Sequence, residues 1–125
     1  MYGAEYQLED INGPFSTQNA QHLHNNDVPC AVCRATNRPS TLMIPAKLSC
    51  PGSWTKEYSG FLMANFYIDE GRTRHVCMDN APEVVEGVAA SHIGAFFHGI
   101  ESTCDSLPCP SYGEGWDMTC VVCSK

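Results

Sequence analysis

The chain has 125 residues, 43% of them hydrophobic and 10% aromatic, enough for one domain that buries roughly two-thirds of its unfolded surface and too little for a second independent core. Seven Lys and Arg against 14 Asp and Glu give a formal charge of −7, which leaves no positive surface for nucleic-acid binding by counterion release. The most apolar stretch, from Gly87 to Ile100, is broken by histidines and glycines and is too short to cross a bilayer, so no membrane insertion is expected.

In chain order, Tyr2-Gly3-Ala4-Glu5-Tyr6 reads as the start of a strand, and with no basic or apolar leader it is no signal peptide; Met1 is a start or an interior residue of a longer precursor. The densest polar cluster follows at Gln21-His22-Leu23-His24-Asn25-Asn26-Asp27. His22 and His24 would share a strand face suited to a transition metal, while Asn25, Asn26 and Asp27 offer the hard oxygens that calcium takes. The competing reading is a turn capped by Asn and Asp side chains. Pro29 then holds Cys30-Ala31-Val32-Cys33 extended. Ser40 to Ile44 reads as a strand ending at Pro45, Pro51-Gly52 as a turn, and Tyr58 to Tyr67 as an aromatic-rich strand region closed by a turn at Asp69-Glu70-Gly71. One short helix is allowed, over Ala81 to Ala90 with Asn80 as N-cap and Gly87 breaking it. Thr119 to Cys123 is a short β-branched strand.

Two stretches repeat each other. A Gly-Ala-aromatic start at Gly3 leads to Cys30-Ala31-Val32-Cys33, and another at Gly94 leads, after a nearly equal separation, to Cys120-Val121-Val122-Cys123. The expected fold is therefore all-β: a single disulfide-rich domain over 1–125 with long loops and a degenerate, pseudo-twofold internal repeat. Residues 1–36 form the end of the first copy and 48–125 the second. The first copy has no counterpart to Cys50 through Cys77, so the chain is expected to begin partway into it.

Eight cysteines, an even number at several times ordinary usage, point to a secreted, extracellular domain in which Cys30, Cys33, Cys50, Cys77, Cys104, Cys109, Cys120 and Cys123 are all bridged. Four bridges at on the order of 2–4 kcal/mol each would offset the loops implied by 10 Gly and 8 Pro. Zinc is disfavoured because the two Cys-x-x-Cys pairs are far apart in sequence, and thioredoxin-like redox chemistry because neither pair begins a helix. On a strand, residues three apart face opposite sides, so Cys120 and Cys123 should bridge to different neighbours.

Glu101, Asp105, Glu114 and Asp117 lie beside Cys104, Cys109, Tyr112 and Trp116. A disulfide-held loop that carries carboxylates next to an aromatic can hold Ca²⁺ and stack a sugar ring. The four acids are the candidate calcium ligands, with Trp116 and Tyr112 for the sugar and Asn25, Asn26 and Asp27 as the competing site. No nucleophile elbow, zinc-protease helix or phosphate loop is present, so an enzyme is not expected.

Val28-Pro29-Cys30-Ala31-Val32-Cys33, Leu42-Met43-Ile44-Pro45-Ala46-Lys47, Ser49-Cys50-Pro51 with Trp54-Thr55-Lys56-Glu57-Tyr58, Leu107-Pro108-Cys109-Pro110 and Thr119-Cys120-Val121-Val122-Cys123-Ser124-Lys125 together resemble one family across nearly the whole chain. It is that of the C-terminal noncollagenous domain of spongin-type short-chain collagens, to which a calcium-dependent galactose-binding lectin of sea anemone is similar. The resemblance implies a secreted, non-catalytic module that recognises terminal galactose through Ca²⁺, or a structural extracellular-matrix module that associates chains; a homo-oligomer suits both. Family members carry an upstream segment with two further cysteines, and here no Gly-X-Y tract precedes the domain.

Overall fold

The computed structural model describes residues 3–8, 22–66, 74–85, 95–105 and 107–125. They form strands β1 (Ala4–Tyr6), β2 (Thr41–Pro45), β3 (Thr55–Ala64), β4 (Val76–Asp79), β5 (Ala95–Gly99), β6 (Glu101–Ser102), β7 (Trp116–Asp117) and β8 (Thr119–Ser124). No α-helix occurs among the described residues, and three disulfides staple the chain, so the fold is a small disulfide-rich all-β domain.

The main sheet has the order β1-β5-β3-β8-β2, with β4 also on β3. The β1–β5 pair is parallel and the remaining pairs are antiparallel, which makes the sheet mixed. In the parallel pair Ala4 lies beside Ala95, Glu5 beside Phe96 and Tyr6 beside Phe97. β8 is flanked by β2 and β3, and a strand with neighbours on both edges and packing on both faces suits its run of Cys and Val. Cys120, Val121, Cys123 and Ser124 are accordingly buried.

β5 and β8 occupy successive stretches of one edge of β3. β5 pairs at Met63 and Ala64, and β8 pairs from Phe61 back to Thr55. Between them the Leu62 N–H donates to the Met118 carbonyl (2.8 Å), the Ile100 N–H to the Leu62 carbonyl (3.0 Å) and the Met118 N–H to the Ile100 carbonyl (2.7 Å). The chain from 101 to 117 therefore leaves the sheet and returns through a single pinch point. Its base is the small β6–β7 ladder.

β4 pairs antiparallel with β3 and approaches it closely at Gly60, where a Cβ would lie 1.8 Å from the Met78 carbonyl oxygen. Only glycine allows that approach. Cys77 on β4 bridges Cys120 on β8 (Cα–Cα 5.7 Å), while Cys50 bridges Cys123. Cys120 and Cys123 thus bridge to different neighbours. Tyr6, Leu8, Leu23, Met63 and Met78 form the buried cluster, with Phe61, Val76 and Phe97 packed against it.

Two expectations are corrected. The helix over Ala81 to Ala90 is absent from its described part, 81–85. There the Asp79 carboxylate accepts from the Ala81 N–H, the Glu83 carbonyl accepts from the Tyr6 hydroxyl, and the Val85 N–H donates to the Asp27 carbonyl. The first is a local turn and the other two are tertiary contacts, so none of these groups serves a helical turn. Cys30 and Cys33, expected in bridges, are unpaired and exposed, because the irregular segment that carries them has no strand and no further cysteine beside it. The expected turn at Asp69-Glu70-Gly71 lies outside the described residues.

Candidate functional site

The β6–β7 excursion gathers the acidic and aromatic residues near Cys104 into one disulfide-closed loop. The Cys104–Cys109 bridge closes a short ring, with a cis peptide before Pro110. The buried Ser102 hydroxyl donates to the Gly113 carbonyl (2.6 Å), and the Gly115 N–H donates to the Ser102 carbonyl (2.9 Å). Gly115, at φ 69°, supplies the left-handed turn that closes the loop.

Trp116 projects from this base with 62% of its surface exposed. Its indole lies against Gly113, where a Cβ would stand 2.1 Å from the ring. Glycine there gives the ring a seat against the backbone and leaves much of it open to solvent. Tyr112 is half-buried in the same loop, and its N–H donates to the Pro108 carbonyl.

The four candidate calcium ligands do not act alike. Glu101 and Asp117 stand opposite each other on β6 and β7, so their side chains leave the same face of the ladder. Both Asp117 carboxylate oxygens are buried without a hydrogen-bond partner among the described residues. Burial, and then the neighbouring Glu101 charge, push its pKa up to about 6. Glu114 instead caps the loop, its carboxylate accepting from the Cys104 N–H at 2.7 Å. Asp105 is exposed. No three acidic, histidine or cysteine side chains converge as metal donors among the described residues. The donor set on offer is thus Glu101 with Asp117, and orphaned carboxylate oxygens beside a second carboxylate fit a hard divalent cation whose remaining ligands are water or ligand hydroxyls.

The competing polar cluster is built as a turn. The Asn26 side-chain amide donates to the His22 and His24 carbonyls, the Gln7 amide donates to Asn25 Oδ1, and Asn25 takes φ 59°. The backbone of Asp27 forms an isolated antiparallel β-bridge with that of Glu5, and the Leu8 N–H donates to His24 Nδ1. Asn25 and Asn26 therefore spend their amides within the chain.

Sequence reasoning reads Tyr112-Gly113-Glu114-Gly115 as a turn but passes over Ser102, which holds the loop, and over Gly113 as the seat of the indole. The glycine spacing in Tyr112-Gly113-Glu114-Gly115 was their only sequence signal. It also passed over a groove of about 740 Å³ between β4 and the Val28–Ala31 segment, walled by Met78, Pro82 and Phe97 and by Tyr6 and Tyr58. Both tyrosine hydroxyls are turned to backbone, donating to the Glu83 and Cys77 carbonyls at 3.0 Å. Compared with known proteins, the chain matches no protein-family model and no solved structure.

Proposed function

We propose that the chain is a secreted carbohydrate-binding module that recognises galactose-type sugars at the β6–β7 loop without catalysis, as its resemblance to the spongin-collagen and lectin group implies. The observation that carries this reading is the exposed Trp116 indole seated against Gly113 on a disulfide-closed base. The axial 4-hydroxyl of galactose leaves a continuous apolar patch on the opposite ring face, and a rigid aromatic surface covers such a patch at little entropic cost. Sugar hydroxyls would be held by the neighbouring carboxylates, directly or through a shared Ca²⁺ seated by Glu101 and Asp117. Three disulfides and the lack of any described helix long and apolar enough to cross a membrane agree with an extracellular setting.

Trp116→Ala should weaken binding to immobilised galactose by roughly 1–3 kcal/mol, the scale of one lost aromatic contact. Thermal stability should be little altered, because the side chain is mostly exposed. Retention on a galactose column, with and without EDTA, measures both parts. Undiminished retention of the variant removes Trp116 from the site, and full retention in EDTA removes the ion.

A further inference from the structure

The formal charge of −7 is unevenly placed along the chain. Residues 28–56 hold Arg34, Arg38, Lys47 and Lys56 and no acid, while residues 1–27 hold four acids and no Lys or Arg. The sheet turns this bias into a surface. β8 is flanked by β2 on one side and by the start of β3 on the other, and beyond its end the Ser40 and Lys125 N–H groups donate to each other's carbonyls at 3.1 and 3.0 Å. Lys56 stands opposite Cys123, and the Arg38 Nε donates to the Ser124 hydroxyl at 2.7 Å. Arg38, Lys56 and Lys125 therefore gather at the end of β8. At its start the Ala46 N–H donates to the Thr119 carbonyl, which sets Lys47 there.

These charges are mostly unspent. Arg34, Lys47, Lys56 and Lys125 are exposed, and among the described residues none of them forms an ion pair; the Lys125 ammonium donates only to the Ser53 hydroxyl at 3.0 Å. In the stretches that build this surface, 34–57 and 119–125, Glu57 is the one acid. Its carboxylate accepts from Arg38 and Ser124 and pins the guanidinium, which uses two of its five N–H donors in these bonds and keeps three.

We propose that this basic end is a binding surface for a sulfated polysaccharide. Sulfate is a fixed anion with several acceptor oxygens, which a planar guanidinium grips bidentately and an ammonium holds as a point charge. Such a chain presents its sulfates in a line, and the six residues of β8 set Lys47 about 20 Å from the Lys125 end, so one chain laid along the strand meets cations at both ends. Nucleic acid fits less well, because duplex binding draws on about 6–10 phosphate contacts and here five cations sit on a molecule of net charge −7. The disulfides suit the oxidising extracellular setting in which sulfated polysaccharides occur. The gathered cations are also distinct from the β6–β7 loop, since that loop feeds β8 at its start and they lie at its end.

The test measures binding of the full chain to immobilised heparin over a range of NaCl, in EDTA so that no divalent cation bridges the acidic loop to the sulfates. The expected result is retention at low salt that falls steeply as salt rises, with far weaker retention on fully desulfated heparin. The double variant Lys56→Gln with Lys125→Gln should lose roughly 10- to 30-fold in affinity at low salt with unchanged circular dichroism, because both side chains are exposed. Arg74→Gln, which removes an exposed charge just before β4, should lose little. Absence of retention at low salt overturns the proposal, as does full affinity in the double variant, an equal loss in Arg74→Gln, or equal retention on desulfated heparin. Tighter binding to duplex DNA or to phosphatidylserine-containing vesicles overturns it in favour of another partner class. Free galactose and Trp116→Ala should leave heparin binding unchanged, so failure of the galactose reading leaves this surface standing and the reverse holds equally.

Discussion

Asp117 shows how one residue sets a local balance. Its carboxyl is buried beside Glu101 and its pKa is raised from the ordinary 3.8 to about 6. A raised acid pKa means that the folded state holds a proton over that interval which the unfolded state has released. Stability should therefore fall as pH rises from about 4 to about 6 and be level above it. Asp117→Asn, which keeps the shape and loses the charge, should abolish that slope and gain on the order of 1 kcal/mol at pH 7 after allowance for solvent screening. Glu57 works in the other direction. Hydrogen bonds from Ser124 and then Arg38 hold its carboxyl below the usual range, so its contribution is present at neutral pH and is lost in acid. Melting temperatures of parent and variant from pH 4 to 7, in metal-free buffer, separate the two, because only the Asp117 slope differs between the proteins.

Among the elements, the β3–β4 pairing is the least tolerant. Gly60→Ala places a methyl against the Met78 carbonyl and the Asn80 N–H, both backbone, so no side-chain rotation can relieve it. The expected cost is about 3 kcal/mol, at the upper end for overpacking, together with a loss of the correct Cys77–Cys120 pairing; urea unfolding and a disulfide map measure them. A fall of under about 0.5 kcal/mol would show that β4 can move aside. The strands themselves were largely legible in the sequence. Leu42-Met43-Ile44 and Thr119 to Cys123 announce themselves by β-branched and apolar runs, and the structure places β2 and β8 within a residue of them. The aromatic region from Tyr58 was legible as a strand but not in its limits, since β3 begins at Thr55 and ends at Ala64. β4, β6 and β7 were not legible, because elements of two to four residues owe their existence to the partner beside them and carry little pattern of their own. Ala81 to Val85 misled for the same reason: an N-cap and a proline speak for a helix only when no tertiary contact claims the backbone first. In the candidate site, the grouping of Trp116 with the disulfide loop was legible from proximity in sequence. The diversion of Glu114 to the Cys104 N–H was not, because a carboxylate's partner is a matter of three-dimensional reach.

For the whole molecule, the disulfides rank by the length of chain they close. Cys50–Cys123 spans 73 residues, Cys77–Cys120 spans 43 and Cys104–Cys109 spans 5. Chain-entropy estimates give about 4.5, about 4 and about 2 kcal/mol respectively. Paired Cys→Ala replacements should follow that order in denaturant unfolding. The Cys104–Cys109 pair should stand apart in one further way, with its loss falling on ligand retention more than on global stability. Equal global losses from all three would show that the loop is part of the cooperative core.

The pinch at Leu62, Ile100 and Met118 has a consequence for how such a protein can change. The chain enters and leaves the excursion between two residues already hydrogen-bonded to each other, so the ladder along β3 passes from β5 to β8 with no residue of 101–117 in it. Insertions, deletions or wholesale replacement of 101–117 meet no constraint from β3 beyond preserving that gate. A library randomised there, on an otherwise constant chain, samples new specificities without sampling new folds.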